Sequence, residues 1–519
     1  MPTRYIRWSF FNPLGNSFES KTKKIMPSSE VDPKNRMNDL DSRRWLQFQK
    51  SWFLLSVETP AEFVTFFTKK ILPGGECASP QRSRVGIFPE NAAALQPVLQ
   101  RLDREAVLLH DQLLLARDHQ STTNNDAASQ PELDYVMVDL RKIFTAEESY
   151  NRQVSLWLQR LRATVALMKP NSYLTIFIGN ADDGQRRVPV AWEFGKLVGN
   201  FLAMKDEKIG CKIGENDLPK SDPTGNESKS GHEAIYCLHF RRDISITPTA
   251  APPNEINEIP TIKPTENILA PHDPRAWFIV KPPPREKNVL LHPAKFPEPL
   301  IGQFIERFTQ PGERVFDPMV GTGSALVAAT SCGREAYGVE LNPAFYDIIK
   351  QRFSLRPTNL KWQVSCGDAG LPETYRELPE SFHYIITSPP YWDMLRMKGA
   401  ETQQNRKQAG LPQFYSDEAR DVGNIADYES FLDSLAKIYR FVGTRLAPGR
   451  YLTIIVKNIK KKGQIFPLAW DLALRLREDF ILGREQFWCQ NDQSLAPFGY
   501  RYAWVSNTFH HYCLHFQKP

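Results

Sequence analysis

The chain has 519 residues, of which 41% are hydrophobic and 24% charged, with a net charge of +6. That length exceeds what one core supports and predicts two domains of roughly 200 residues each. Apolar runs fall far short of the roughly 20 residues that span a bilayer, and MPTRYIRWSFFNP at the start has neither a signal-type apolar core nor a small-residue cleavage site. Seven scattered cysteines without a C-x-x-C pair give no disulfide framework and no metal site. A cytoplasmic protein without a membrane partner is expected, and its mild basicity permits a nucleic-acid partner without requiring one.

Residues 1–44 read as an N-terminal extension. Beyond them an internal repeat sets the boundaries. PNSYLTIFIGNADDGQRRVPVAWE (Pro170 to Glu193) lies over PGRYLTIIVKNIKKKGQIFPLAWD (Pro448 to Asp471) without a gap, identical at nine of twenty-four positions. YCLHF closes each half, at Tyr236–Phe240 and Tyr512–Phe516. Upstream, WFLLS and WFIVK begin loosely parallel stretches, and RVGIFPEN is matched to AYGVELNP, which sets Phe88 opposite Glu340. The first copy occupies 45–243 and the second 286–519. Between them, 244–285 is proline-rich and aromatic-poor, as an extended linker is. Duplicated halves commonly pack about a pseudo-twofold axis, and such packing alone could account for the repeat.

In the second copy, ERVFDPMVGTGSALVAATSCGREAYGVELN (Glu313 to Asn342) reads as strand, glycine turn, helix and second strand. Gly321 and Gly323 allow close approach of a ligand to a helix N-terminus, or simply tight helix–strand packing. Glu340 ends the following strand, where nucleotide-binding α/β sheets place a carboxylate on ribose hydroxyls. Asp368 follows a third strand, placed to accept from an adenine amino group or to cap the next helix.

The strand HYIIT then runs into Ser388-Pro389-Pro390-Tyr391-Trp392. The prolines lock φ and donate no N–H, so Ser388 and Pro389 offer acceptors in a stiff turn beside a flat tyrosine ring. Such a turn suits a planar base whose exocyclic amine donates two hydrogen bonds while its face stacks on the ring. Those bonds draw the amine nitrogen toward tetrahedral geometry and free its lone pair to attack a methyl sulfonium.

FDPMVGTGS followed by TSPPYW resembles the amino-methyltransferases that methylate cytosine or adenine in DNA with S-adenosylmethionine. The resemblance covers most of Leu290 to Pro519. It implies an α/β fold with a Rossmann-like methyltransferase sheet, here in two tandem copies. HPAKFPEPLI, with His292 and Lys295, resembles the segment under the methionine end of the cofactor. By the same resemblance Asp317, Pro318, Gly321, Thr322, Gly323, Glu340 and Asp368 hold S-adenosylmethionine, and Ser388, Pro389, Pro390 and Tyr391 hold the base. Serine in the first motif position leans toward cytosine N4, with adenine N6 the alternative. An RNA amino-methyltransferase and a non-catalytic DNA-binding scaffold are the other readings. No metal is implied, and a restriction or defence-system partner is compatible with this family.

Reaching a base in duplex DNA requires flipping it out of the stack. Lys457, Lys460, Lys461 and Lys462 in VKNIKKKGQ are the expected phosphate contacts, or else a solvated basic turn, and Trp392 is expected beside them against the nucleic acid. The polar stretch from Arg396 to Phe431 is long enough to form a lid or to touch the target strand. In the first copy, CASPQRS stands where the glycine turn should be and DYVMVDLRKIF replaces HYIITSPPYWD. That copy is read as degenerate, kept for packing or for DNA engagement.

Overall fold

The computed structural model describes residues 38, 40–41, 45, 48–72, 81–115, 132–144, 147–182, 187–213, 220–221, 227–228, 230–243, 275–281, 296–390, 392, 420–461, 463–491 and 508–519. Its frame is two large mixed sheets. The first comprises β1 (Trp52–Leu54), β2 (Arg84–Ile87), β3 (Glu105–Leu108), β4 (Leu133–Asp139), β5 (Met168–Ile178), β6 (Ala203–Lys212) and β7 (Glu233–Arg241), in the order β1-β6-β7-β5-β4-β2-β3. The second contains β8 (Trp277–Phe278), β9 (Arg314–Asp317), β10 (Glu335–Glu340), β11 (Trp362–Cys366), β12 (Phe382–Thr387), β13 (Leu446–Val456), β14 (Gln486–Cys489) and β15 (His510–Gln517), in the order β8-β14-β15-β13-β12-β9-β10-β11. In each, one strand (β7 or β15) runs antiparallel to both its neighbours.

The central strands are apolar almost throughout because both their faces are covered. Phe382, Tyr384, Ile385 and Ile386 of β12 and the run from Leu452 to Val456 of β13 are buried. Helices cap themselves where the sequence supplies the residue. The Asn342 side chain accepts from the Ala344 N–H at 2.9 Å ahead of helix Pro343–Leu355, and Asp427 accepts from Ser430 at 2.8 Å ahead of helix Tyr428–Thr444. Each bond satisfies one of the four orphan N–H groups at a helix start.

Register carries the correspondence of the two sheets to single residues. Val85 lies opposite Tyr135, and Tyr135 opposite Tyr173; in the second sheet Val315 lies opposite Tyr384, and Tyr384 opposite Tyr451. Arg84 pairs with Glu105 as Arg314 pairs with Glu335. Side chains repeat the pattern: Tyr135 and Tyr384 donate to Thr175 (2.6 Å) and Thr453 (2.7 Å), which meet Nδ1 of His239 (2.8 Å) and His515 (2.9 Å).

Two expectations are corrected here. The stretch 244–285 is not wholly linker, because Trp277–Phe278 already pairs with β14 in the second sheet. Nor does Phe88 lie opposite Glu340. RVGIF occupies the central-strand place of RVFDP, so Phe88 corresponds to Pro318, Asn91 to Gly321 and His110 to Glu340, while FPENAAA, not CASPQRS, stands where the glycine turn would be. A period-2 apolar pattern fits either neighbouring strand, and only the pairing partner decides between them.

In this register the residues at the corresponding place in the first sheet are tied to their neighbours. The Asn91 side chain bridges to the next strand, its Nδ2 donating to the Asp139 carbonyl and its Oδ1 accepting from the Asp139 N–H, both at 3.0 Å. Phe88 packs against Trp157 with ring centroids 4.9 Å apart, both fully buried. Asp139, in the place of Ser388, is engaged by the Arg141 guanidinium.

The two sheets dock through matched contacts. Trp192 stacks on Trp470 (centroids 6.5 Å apart, planes at 11°), Tyr236 on Tyr512 (6.5 Å, 19°), and the Cys211 and Cys489 sulfurs lie 3.9 Å apart. Polar contacts are exchanged reciprocally. Tyr236 donates to Glu485 while Tyr512 donates to Glu207, and Trp52 Nε1 donates to the Gln490 carbonyl while Trp277 Nε1 donates to that of Lys212. This is the self-complementary contact of an isologous dimer, built within one chain.

Candidate active site

Strands β9, β10, β12 and β13 are mutually parallel in sequence along the sheet, so their C-terminal ends share one edge. The chain leaves β9 outward to β10 and β11, then returns to lay β12 on the other side of β9. Such a reversal of strand order opens a crevice at the carboxyl ends of the strands. The cleft found there encloses about 1060 Å³ including its open mouth, on the scale of small-ligand sites.

Its wall is built at four strand ends. Asp317 ends β9 and is followed by Pro318, Gly321 and Thr322; Glu340 ends β10; Asp368 follows β11; and Ser388, Pro389 and Pro390 follow β12. Gly321 (φ 57°) and Gly323 (φ 85°) adopt the left-handed conformation that glycine alone takes without strain. Gly323 nevertheless does not line the cleft. A side-chain carbon there would lie 3.1 Å from Ile349 Cγ1, so its role is to turn the chain and pack on the neighbouring helix.

Glu340 is fixed by the turn it faces. Its Oε2 accepts from Gly321 N–H and its Oε1 from Asn342 N–H, both at 2.8 Å. Burial is the largest effect on this carboxyl and raises it to about 8, although both hydrogen bonds favour the charged form; the neighbouring Asp317 and Asp421 raise it further. Asp317, with Oδ1 accepting from Met319 N–H at 2.9 Å, is likewise raised by burial, to about 7. Asp368 Oδ1 accepts from Gly370 N–H at 2.7 Å, closing its own turn. Asp317 and Glu340 thus sit buried, and among the described residues no cation is paired to them.

Sequence reasoning missed part of this wall. Arg420, Asp421 and Val422 line it, with Asp421 buried and its Oδ1 accepting from Gly423 N–H at 2.9 Å. They belong to the stretch read as a lid or strand contact, whose residues 396–419 lie outside the described residues, and no local motif marks them. Phe296, Ile301, Phe345, Ile438 and Ile455 supply the apolar lining. Tyr391, His292, Lys295 and Lys462 fall outside the described residues.

The expected nucleic-acid contacts separate. Lys460 is corrected: its ammonium is ion-paired with Asp206 of the first copy, which has no solvent exposure. Trp392 is corrected too, since it is 4% exposed and packs on Tyr428 (5.1 Å) and Phe466 (4.6 Å) instead of presenting a face to solvent. Lys461 holds its ammonium 3.9 Å from the centre of the Trp392 ring, a cation–π contact. Lys457 directly follows β13, half-buried, and burial lowers its ammonium to about 8. Among the described residues no group of His, Cys, Asp and Glu could hold a metal ion, and no helix is long and apolar enough to cross a membrane.

A family described as DNA methylase matches residues 118–351, spanning most of the first copy, the stretch between the copies, the glycine turn and Glu340, and stopping short of Ser388. The type II methyltransferase M.Cfr9I of Citrobacter freundii is 39% identical over 69 residues, 13% of this chain and 23% of that protein. M.MthZI of Methanothermobacter thermautotrophicus, also a type II methyltransferase, is 35% identical over 68 residues, 13% of this chain and 19% of its own length. The chain therefore spans about a fifth of these relatives. Among solved structures, TrmN from Thermus thermophilus aligns over 45% of this chain and 52% of its own, at 14% identity and a TM-score of 0.29. The chain is thus similar to DNA methylases over residues 118–351 and, over short stretches, to type II methyltransferases.

Proposed function

We propose that the protein transfers a methyl group from S-adenosylmethionine to the exocyclic amine of a base in DNA, with cytosine N4 favoured over adenine N6. The observation that carries this reading is that Ser388, Pro389 and Pro390 border the same cleft as Gly321, Thr322 and Glu340. A base-holding turn and a cofactor-holding turn thus open onto one space.

The cofactor supplies an electrophilic methyl group on a sulfonium. Glu340, held by two backbone N–H groups, is suited to accept from ribose hydroxyls, and Asp368 from an adenine amine. The acidic character given by Asp317 and Asp421 suits a cationic methionine end, and His292 and Lys295 complete that end by family resemblance. Ser388 and the Pro389 carbonyl accept from the target amine, while Tyr391 stacks on the base. Drawing the amine nitrogen toward tetrahedral geometry turns its lone pair to the methyl carbon, so the chain needs no covalent nucleophile. Flipping costs a few kcal/mol, offset by stacking and phosphate contacts. Lys457, Lys461 and Lys462 remain the candidates for those contacts.

The type II methyltransferases among the relatives support a place beside a restriction or defence partner in the cytoplasm. The serine of the S-P-P-Y turn supports cytosine. Incubation with tritiated S-adenosylmethionine and separate DNA and RNA pools tests the proposal: label in DNA is expected. Label in RNA alone would replace it with an RNA amino-methyltransferase, and label in neither would favour a scaffold.

A further inference from the structure

Trp392 sits two residues beyond Pro390, and its surroundings tie the base-holding turn to the first copy. Its ring lies in a three-membered aromatic cluster with Tyr428 and Phe466, all pairwise centroids between 4.6 and 5.1 Å. Phe466 belongs to a two-stranded hairpin in which Ile459 faces Phe466, Lys460 faces Ile465 and Lys461 faces Gln464. Side chains alternate along such a strand. Lys461 accordingly covers the Trp392 ring at 3.9 Å, while its neighbour Lys460 reaches the opposite way to Asp206.

Asp206 is wholly buried and held from its own side as well. Its Oδ1 accepts from Glu207 N–H at 2.9 Å, and the Lys208 ammonium lies 3.5 Å from its Oδ2. Lys208 in turn donates to the carbonyls of Phe48 (2.6 Å) and Lys50 (2.8 Å). The hairpin is therefore fastened to a rigid strand of the first copy by a charge that cannot relax into water. A second fastening reaches the other wall of the cluster: Tyr428 donates to Asp471 Oδ2 at 2.9 Å, and Asp471 Oδ1 is ion-paired with Lys196 of the first copy.

We propose that Asp206 and Lys196 are positioning residues for methyl transfer: from the first copy they clamp the two walls of the Trp392 cluster, and so hold the Ser388–Pro390 turn in its reacting geometry. The inference rests on the reading of that turn as the base-holding element. It gives the degenerate copy a part in the reaction other than cofactor binding, since a 1 Å displacement of a positioned group is enough to cost a hundredfold in rate.

The experiment measures single-turnover methyl transfer to DNA, cofactor affinity by calorimetry and thermal midpoint for the full-length chain and its Ser388→Ala, Lys196→Met, Asp206→Asn and Asp206→Glu variants. Lys196 is 47% exposed at its side chain, so its replacement is expected to leave the fold intact, and it decides the matter if Asp206→Asn does not fold. Expected are a fall of about fivefold or more in the transfer rate for Lys196→Met and tenfold or more for Asp206→Asn. Partial recovery is expected in Asp206→Glu, with cofactor affinity within about twofold of the parent throughout. Transfer rates unchanged in folded Lys196→Met overturn the inference, as does a parallel loss of rate and cofactor affinity, which marks a merely structural role. If the parent labels no DNA the reading of the turn fails first, whereas a parent that labels DNA and loses it in Ser388→Ala isolates the clamp as the point at issue.

Discussion

Ser388 follows directly from the buried end of β12, and its neighbours are two prolines that cannot donate, so little besides the side chain and carbonyls of the turn is available to a base amine. Replacing Ser388 by alanine is expected to lower methyl transfer at least tenfold, about 1.4 kcal/mol of barrier, and to leave cofactor affinity nearly unchanged; equal loss of both in kinetics and calorimetry would contradict the assignment. The buried acids of the cleft give a second test. Burial raises Asp317 to about 7 and Glu340 to about 8, above their ordinary values. Their contribution to the stability of the cofactor-free chain is therefore present at low pH, below the unfolded carboxylate range, and lost as pH rises through 7 and 8. A cationic cofactor needs them ionised, so its affinity is expected to strengthen about tenfold between roughly pH 6 and pH 8.5, each pKa unit being worth 1.36 kcal/mol. A calorimetric affinity that is flat over that interval would count against both carboxylates as cofactor contacts.

At the scale of elements, what could be read from sequence was what neighbours in the chain decide. Gly321 and Gly323 between an apolar strand and a helical run, the acid at the end of the next strand, and the abrupt S-P-P after HYIIT are all local, and the fold brings their turns to one sheet edge. Positions settled by distant partners were not legible. The lysine run at 460 and 461 looks like a phosphate loop, but Lys460 answers to a carboxylate 254 residues away, and Asp421 enters the cleft from a stretch with no motif. Gly323 illustrates the same division. Its place beside the cleft was plain, whereas its reason, a φ of 85° and Ile349 at 3.1 Å from any added side-chain carbon, is tertiary. Gly323→Val is accordingly expected to lower the thermal midpoint and cofactor affinity together, because the strained turn shifts Gly321 away from Glu340. A variant with the parent's midpoint and weak binding would instead indicate direct obstruction of the cofactor.

The whole molecule is asymmetric in chemistry and nearly symmetric in packing. Cofactor titration is expected to saturate at about one equivalent per chain, since Asn91 and Phe88 stand where the second sheet has Gly321 and Pro318 and are engaged by Asp139 and Trp157; two equivalents would contradict this expectation. The interface buries Trp192, Trp470, Tyr236, Tyr512 and Phe487, large aromatics that dominate the energetics of contacts of this kind. The second copy produced without residues 1–243 is therefore expected to aggregate by exposing that face, a result readable by size-exclusion chromatography. Charge reversal at Lys460 is expected to act through the same face, by leaving Asp206 beside a like charge, and to destabilise the fold by about 3 kcal/mol or more.

Nucleoside analysis by mass spectrometry of DNA incubated with S-adenosylmethionine and either the parent chain or Ser388→Ala bears most directly on the central claim, that one cleft per chain methylates a base amine in DNA. N4-methylcytosine is expected with the parent and its loss with the variant. N6-methyladenine in its place would revise the base and keep the chemistry, whereas DNA with no methylated amine, or the same yield from Ser388→Ala, would contradict the assignment of the cleft.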